Sequence, residues 1–579
     1  MDVKKIVEVY LSKGDWRIKE NANTGYSFSG LSLRTSEDAF EEYVLYEILN
    51  PEMREAHQNC YIKIHDVGYL TPYCMGHDLR KILNEGLNGV AGKINTSPPK
   101  HMNSAINIMV NFLGICQMES AGAQAYSNFN TLLAPFIKAD GLDYKATKQH
   151  IQNFIYHLNI PNRWGAQCPF SNITMDIDCP TMFKKDTPLV GGEKVNFTYG
   201  DCKKEMDMIN KAFFEVMMGG DASGAPFTFP IVTINLTKDF DWESDISKLI
   251  FQATAKYGLP YFQNFINSDL NPEDVYSMCC RLQLDKRELR KHTGGLFGAG
   301  AATGSLRVIT LNLPKIAYEA KGNMGKFYEL LNKYGKIAKE THELYRTFLN
   351  TQLEKGLYPY LKRYLGTFNN HFSTIGIIGG NEVCLNLLDK SIVTKDGKEL
   401  MINTLKYLRE MIADFQEETG NLYNLEATPA ESTAYKLALF DKIQYPDIKT
   451  SGTEDAPYYT NSTLYPAEKQ YDVIQAIEHQ DDLQCLYNSG TVLHFYLGEE
   501  IKNWKTCMKL VKRIATNSKL PFFSITTTYS VCPVCKYISG AHEFCPHNHS
   551  EAELEKFGVK KQLPFKEGTK NDTKLKNTM

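Results

Sequence analysis

YSMCCRLQLDKRELRKHTGGLFGAGAATGSLRVITLNLP, residues 276–314, is the stretch on which the reading of the fold turns. Two adjacent cysteines, Cys279 and Cys280, precede Arg281, and a glycine-rich run, Gly294–Ser305, leads into the apolar segment Arg307–Leu313. Glycine tolerates positive φ, so such a run suits a tight excursion through a confined space, and equally a flexible surface loop. The apolar segment after it has the length and composition of a buried strand.

Similar apolar runs recur at Phe227–Leu236, Thr374–Ile378 and Phe522–Tyr529, each bounded by Gly, Pro or Asn. Strands buried on both faces have this appearance. Helical patterns alternate with them. Thr35 and Asp38 have capping-box spacing ahead of Phe40, Val44 and Ile48, and Ile106, Met109, Val110 and Leu113 mark one face of a helix over Ala105–Met118. The alternation predicts a mainly parallel sheet or a barrel, and the pattern does not choose between them.

The 579 residues allow one large domain with insertions, or roughly three or four average ones. A formal net charge of −3 gives no field that draws the chain to nucleic acid or an anionic membrane. No apolar run approaches a membrane span, and the charged start MDVKKIVEVYLSKGDWRIKEN is unlike a signal peptide, so a cytoplasmic location is expected. Eight of the fourteen cysteines (Cys60, Cys116, Cys168, Cys179, Cys202, Cys384, Cys485 and Cys507) lie singly in apolar settings and read as packing thiols. Cys532, Cys535 and Cys545 have the spacing of a structural zinc site lacking one ligand. His549 is the preferred fourth ligand and His547 the other candidate. After about residue 556 the chain becomes polar and Lys-rich, as in a disordered or docking tail.

Many separate stretches resemble the anaerobic (class III) ribonucleotide reductases. They include DWRIKEN (15–21), IHDVGYLTPYCMGHDL (64–79), GAQAYSNFNTLLAPF (122–136), RWGAQCPFSNITMD (163–176) and MCCRLQLDKREL (278–289). TIGIIGGNEVCLN (374–386), EATPAESTAYKLA (426–438), PYYTNSTLYP (457–466) and FFSITTTYSVCPVC (522–535) continue the series in the family's order. The resemblance implies a ten-stranded α/β barrel threaded by a finger loop that bears a radical cysteine. It implies a catalytic domain over residues 1–525 without an N-terminal ATP-cone, a zinc-binding segment over 526–555 and the tail over 556–579.

By the same resemblance Cys280 is the thiyl-radical residue, Cys74 the reducing thiol across the barrel, and Glu431 a carboxylate acting as acid or base on the ribose hydroxyls. TPAEST also reads as a helix start, with Thr428 as N-cap, whose free N–H groups suit phosphate. Thr428 and Ser432 are therefore expected at the substrate, and His65 at the rim of the site. The implied activity is reduction of ribonucleoside triphosphates, with ATP and dNTP effectors, an iron–sulfur activase using S-adenosylmethionine, and a homodimer. Formate users carry an Asn in the glycine-rich loop where Gly300 and Ala301 stand here, which leaves formate and a thioredoxin- or glutaredoxin-type protein both open as reductant. The family's Arg-x-x-Gly-Tyr radical segment is missing from the 579 residues, whose last arginine is Arg513. The expectation is a glycyl radical supplied in trans by a second polypeptide, with a truncated product, as from gene interruption, as the second reading. A nucleotide-binding subunit without catalysis, or a relative of pyruvate formate-lyase, are the alternatives.

Overall fold

A computed structural model describes residues 2–13, 26–162, 164–222, 224–268, 275–278, 282–285, 302–428, 431–466, 472–497, 501–532, 534–542, 544–547 and 549–556. Its main sheet takes β1 (Ile62–Ile64), β2 (Cys74–His77), β3 (Gln124–Tyr126), β4 (Ser171–Met175), β5 (Ile231–Leu236) and β6 (Tyr261–Asn264) from the first half of the chain. It continues with β7 (Thr303–Asn312), β8 (His371–Ile378), β9 (Tyr423–Glu426), β10 (Leu493–Leu497) and β11 (Phe522–Thr527). The hydrogen-bonded order is β9-β8-β7-β2-β3-β4-β5-β6-β11-β10, with β1 attached to β7.

Strands β2 to β6 run parallel to one another, and β7 to β9 form a second parallel set. The sets meet antiparallel at β7–β2, while β11, itself parallel to β10, meets β6 antiparallel. Both ends of this path come together: Ser489 N–H donates to Leu425 O at 3.1 Å and Ala427 N–H to Gly490 O at 2.8 Å. These bonds join β9 to the segment entering β10, so the sheet closes as a barrel. That settles the choice which periodicity left open.

Helices cover the outside. In the first half Met75, Tyr126, Ile173, Val232, Ile234 and Phe262 point outward into one core with helices such as Met102–Cys116. In the second half Ile309, Leu311, Ile375, Ile377, Tyr423 and Leu425 pack against the long helices Met324–Glu354 and Lys395–Thr419. Alternation along each strand then turns Cys74, Ala125, Asn172, Thr174, Thr310, Thr374, Asn424 and Glu426 inward. Apolar runs thus do mark the strands, but one face of each meets helices and the other a polar lumen.

The first helix departs from expectation. Thr35 and Asp38 do not cap it; they lie inside Phe28–Tyr43, whose N-cap is Ser27, accepting from Gly30 N at 3.0 Å. Thr35 donates back to Leu31 O, and Asp38 pairs with Arg34 one turn earlier. A capping spacing within a helix is satisfied equally well by such local bonds. Among the single cysteines, Cys485 is exposed, so it is not a packing thiol, whereas Cys116, Cys202, Cys384 and Cys507 are buried. No helix among the described residues is long and apolar enough to cross a membrane.

Four buried histidines make stability pH-dependent. Burial, first among the causes, pushes His57, His342 and His371 down to about 3 and His77 to about 4, against an ordinary 6.5. In the unfolded chain they protonate near 6.5, so as pH falls below that value the unfolded state binds more protons and stability drops. Each histidine loses about 1.4 kcal/mol per pH unit in this window, on the order of 5 kcal/mol for four at one unit below 6.5. Asp176, raised by burial to about 6, acts oppositely, as do Glu119 and Asp441, whose carboxyls burial also raises, while His65 adds to the four histidines. Urea midpoints should therefore fall steeply between pH 7.5 and 5.5, and a flat profile would contradict burial of these rings as neutral species.

Candidate active site and metal centre

Cys74 opens β2 and projects into the lumen, 6 % exposed, in a small apolar cluster with Ala123, Ala125, Phe372 and Leu422. Its packing is set by Gly122, where a Cβ would stand 2.5 Å from the thiol sulfur. The GAQ turn therefore requires glycine for the cysteine to keep this orientation.

The segment between His65 and Cys74 is held by one guanidinium. Arg307, wholly buried on the outward face of β7, donates to the carbonyls of His65 (3.1 Å), Asp66 (2.7 Å), Tyr69 (2.8 Å) and Thr71 (2.8 Å). It lies 4.6 Å from the ring centroid of Tyr345. Four carbonyls and a π face take the place of a carboxylate around this charge.

His65 faces Thr310 on β7, Nε2 to Oγ1 2.8 Å, and Thr310 Oγ1 lies 3.3 Å from Thr428 Oγ1. Burial first, then Lys63, Arg307 and Lys436, push the His65 imidazole down to about 3, so it is neutral and serves as a hydrogen-bonding group. Thr428 is buried at the end of β9, so close to Gly376 that a Cβ there would fall 1.7 Å from its hydroxyl oxygen. Glu431 begins the helix Glu431–Gln444, and Ser432 is half-buried in its first turn. Thr310 thus links His65 to Thr428 at the end of the barrel where β7, β8 and β9 finish, and the helix that Glu431 begins follows Thr428 in the chain.

Two elements fix that end. Glu382, fully buried, accepts from Thr460 N (2.8 Å), Thr460 Oγ1 (2.7 Å) and Ser451 Oγ (2.6 Å), and Ser462 Oγ donates to Thr428 O at 3.2 Å. Lys315 and Asp441, both fully buried, pair at 3.3 Å and tie the Glu431–Gln444 helix to the chain just after β7.

Cys279, Cys280 and Arg281 lie outside the described residues, as do Gly294–Ala301 and the tail after residue 556. The backbone on either side of the cysteine pair is described: Val275–Met278 and Leu282–Asp285 pair antiparallel, Met278 opposite Leu282. The first of these strands passes alongside β2, β3 and β4, the strands of Cys74, Ala125 and Asn172. Helices cover the outer face of those strands, so the hairpin belongs to the lumen.

A second cluster lies beyond β11. Strands β12 (Tyr529–Cys532) and β13 (Lys536–Ser539) form a hairpin, with Cys532 closing the first strand and Cys535 in the turn. Tyr257 packs edge-on against Tyr529 and Tyr537 and joins the hairpin to the barrel's helical layer. One ligand atom from each of Cys532, Cys535, Cys545 and His549 lies within 4.8 Å of the others. Cys535 and Cys545 sulfurs are 3.8 Å apart, and His549 Nε2 is 3.3, 3.3 and 3.2 Å from Cys532, Cys535 and Cys545. A tetrahedral zinc with Zn–S bonds of about 2.3 Å holds its sulfurs roughly 3.8 Å apart, so the donors fit that ion. His547 is exposed, with Nδ1 3.3 Å from Cys535 and 3.9 Å from Cys545.

Sequence reasoning missed the polar lining of the lumen. Asn172 and Asn424 are buried, and neither amide atom of either has a partner among the described residues; Thr174 Oγ1 and Gln263 Nε2 share that condition. The alternation in Ser171–Met175 was the available signal.

The described residues thus form a closed ten-strand α/β barrel, with a hairpin inside it flanking adjacent cysteines and a buried thiol on its wall. A family profile described as anaerobic ribonucleoside-triphosphate reductase matches residues 20–557. This chain belongs to the anaerobic ribonucleoside-triphosphate reductase family and is an oxidoreductase. The enzyme of that name from Enterobacteria phage T4 is 23% identical over 601 residues, covering 94% of this chain and 92% of its own. That of Haemophilus influenzae is 23% identical over 536 residues, 86% of this chain and 72% of its own. The Thermotoga maritima anaerobic ribonucleotide reductase with glycerol in its active site superposes with a TM-score of 0.77 at 23% identity, covering 94% and 88% of the two chains. Its complex with dATP and CTP gives 0.73 at 23% identity, covering 94% and 93%.

Proposed function

We propose that this chain reduces ribonucleoside triphosphates to deoxyribonucleoside triphosphates in the barrel lumen by thiyl-radical chemistry. The observation that carries the reading is the placement of Cys74 on the lumen wall, beside the described hairpin strand that leads to Cys280. The triphosphate would lie against Thr428, Ser432 and the first turn of the Glu431 helix, where free N–H groups favour anions. The sulfur radical of Cys280 takes the hydrogen from ribose C3′. The C2′–O bond then breaks, the hydroxyl leaves as water with a proton relayed by Glu431, and Cys74 gives its hydrogen atom to C2′. Glu431 accepts and returns the proton of the 3′-hydroxyl. A two-electron reductant, either formate leaving as carbon dioxide or a thioredoxin-type dithiol leaving as its disulfide, restores the Cys74 thiol with one hydrogen and reduces the 3′-ketone with the remaining electron, and Cys280 returns its hydrogen to C3′. Neutral His65 orients a hydroxyl through its bond to Thr310.

The stored radical starts this sequence by oxidising Cys280. No Arg-x-x-Gly-Tyr segment occurs within the 579 residues, so we infer a glycine outside these residues, charged by an iron–sulfur activase with S-adenosylmethionine. ATP and deoxynucleotides as effectors, and a pair of chains as the working unit, complete the reading. Anaerobic EPR and CTP turnover of the chain with activase and S-adenosylmethionine, with and without a glycyl-motif peptide, test it. A radical doublet together with dCTP formation only when the peptide is present is expected. Silence in both, while the same activase works on an intact relative, would favour a non-catalytic nucleotide-binding subunit.

Cys532, Cys535, Cys545 and His549 would hold one structural zinc, which secures the β12–β13 hairpin. Metal analysis should find about one zinc per chain, falling well below that in His549→Ala and remaining in His547→Ala. Equal loss in both variants would mean that the histidines share the site.

A further inference from the structure

We infer that Asn424, resting on the lumen reading above, is a binding residue for the ribose hydroxyls of the substrate, with Asn172 facing it from the opposite wall. Register gives the placement. Cys74 on β2 pairs with Ser305 on β7. Further along β7, Val308 pairs with Thr374 on β8, and Thr374 with Asn424 on β9. The next inward row is Thr310, Gly376 and Glu426, and Thr428 and the Glu431 helix lie just beyond it. Asn424 therefore stands between the reducing thiol and the end of the barrel that suits phosphate. A nucleotide with its phosphates at the helix and its C2′ near Cys74 has its ribose at this row.

The chemistry of the side chain agrees. Asn424 is 1 % exposed, yet its amide nitrogen and oxygen both lack a partner among the described residues. Asn172, wholly buried, is in the same condition. In the ten-strand ring β9 and β4 are five places apart, so the two carboxamides come from opposite walls. Nothing in the packing of the strands requires an amide there, and an unpaired buried amide costs stability. A carboxamide offers one donor group and one acceptor, matching a vicinal diol whose hydroxyls both donate and accept. The cis-diol is common to all ribonucleosides and absent from the product, which has lost the 2′-hydroxyl.

The test uses the full chain, with CTP and dCTP as probes and dATP saturating so that any effector site is filled. Dissociation constants are measured by calorimetry for wild type, Asn424→Leu and Asn424→Ser, alongside thermal midpoints. The leucine variant should weaken CTP at least about tenfold, the equivalent of 1.4 kcal/mol, and bring the CTP-to-dCTP affinity ratio close to one. Its thermal midpoint should be unchanged or higher, because an unpaired amide has been removed. Serine, which keeps a hydroxyl, should retain part of the discrimination. Unchanged CTP affinity and ratio in both variants would overturn the inference and leave water as the partner of Asn424. A lowered midpoint with binding intact would overturn it in favour of a structural role. If wild type itself binds neither nucleotide, the reading of the lumen as a nucleotide site fails, and this inference with it.

Discussion

Serine in place of Cys280 is expected to lower nucleotide reduction at least ~10³-fold, about 4 kcal/mol in the barrier, with CTP affinity nearly unchanged. A serine O–H bond is far stronger than a thiol S–H bond, so a glycyl radical that oxidises a thiol cannot oxidise the alcohol. Binding survives because the groups that would hold the nucleotide, at Thr428, Ser432 and the helix start, belong to other strands and loops of the barrel. Cys74→Ser should lose dCTP formation to the same extent for a different reason: the 3′ hydrogen can still be taken, but the 2′ position receives no reducing hydrogen. Release of tritium from 3′-labelled CTP separates the two, being absent in Cys280→Ser and retained in Cys74→Ser. Residual deoxynucleotide formation in Cys280→Ser would sink the thiyl assignment. Tritium release that disappears in both would assign Cys74 a part in the first step.

Lys315→Met is expected to destabilise the fold by about 3–5 kcal/mol, because it leaves a carboxylate buried without its cation. Asp441 Oδ2 accepts from Asn312 Nδ2 at 2.7 Å and Tyr459 Oη at 2.9 Å, while Lys315 Nζ lies 3.3 Å from Oδ1. The same ammonium donates to Asn59 O and Gln444 Oε1, both at 2.7 Å, and sits 4.7 Å from the Tyr61 ring centroid. Burial raises the Asp441 carboxyl above its ordinary range and Lys315 opposes the rise, so removing the lysine favours protonation or local opening. Since this pair anchors the helix begun by Glu431, the loss should reach the active site as weaker CTP binding. Urea denaturation of Lys315→Met, Asp441→Leu and the double variant measures the coupling. The double variant should recover part of the loss, since two apolar groups replace a complete pair. A Lys315→Met midpoint equal to wild type would show that the pair is not under load.

Much of this arrangement was legible before any coordinates. Arg307–Leu313 and Thr374–Ile378 announced strands because a strand backed by helices needs branched apolar side chains. The spacing of Cys532, Cys535 and Cys545 announced a metal-type cluster because a tetrahedral ion needs paired thiolates across a tight turn. The spacing of Thr35 and Asp38 misled, since the same residues find partners one turn back within a helix and do not have to cap one. Asn172 and Asn424 were missed: the alternation in Ser171–Met175 marked the face of Asn172, but no local pattern tells whether anything pairs with a buried amide.

By itself, the sequence determined the α/β class, the strand-forming runs and, through many ordered motifs, membership of the anaerobic ribonucleoside-triphosphate reductases. These follow from local composition and spacing, which a chain carries with it whatever its tertiary arrangement. Tertiary structure alone decided that the sheet closes, because closure rests on bonds between Leu425–Ala427 and Ser489–Gly490, more than sixty positions apart. It also brought His549 Nε2 among the three sulfurs of the Cys532 cluster, and decided that Arg307 holds the loop before Cys74 through four carbonyls. Such contacts depend on distances between remote segments, and no local pattern of residues encodes a distance.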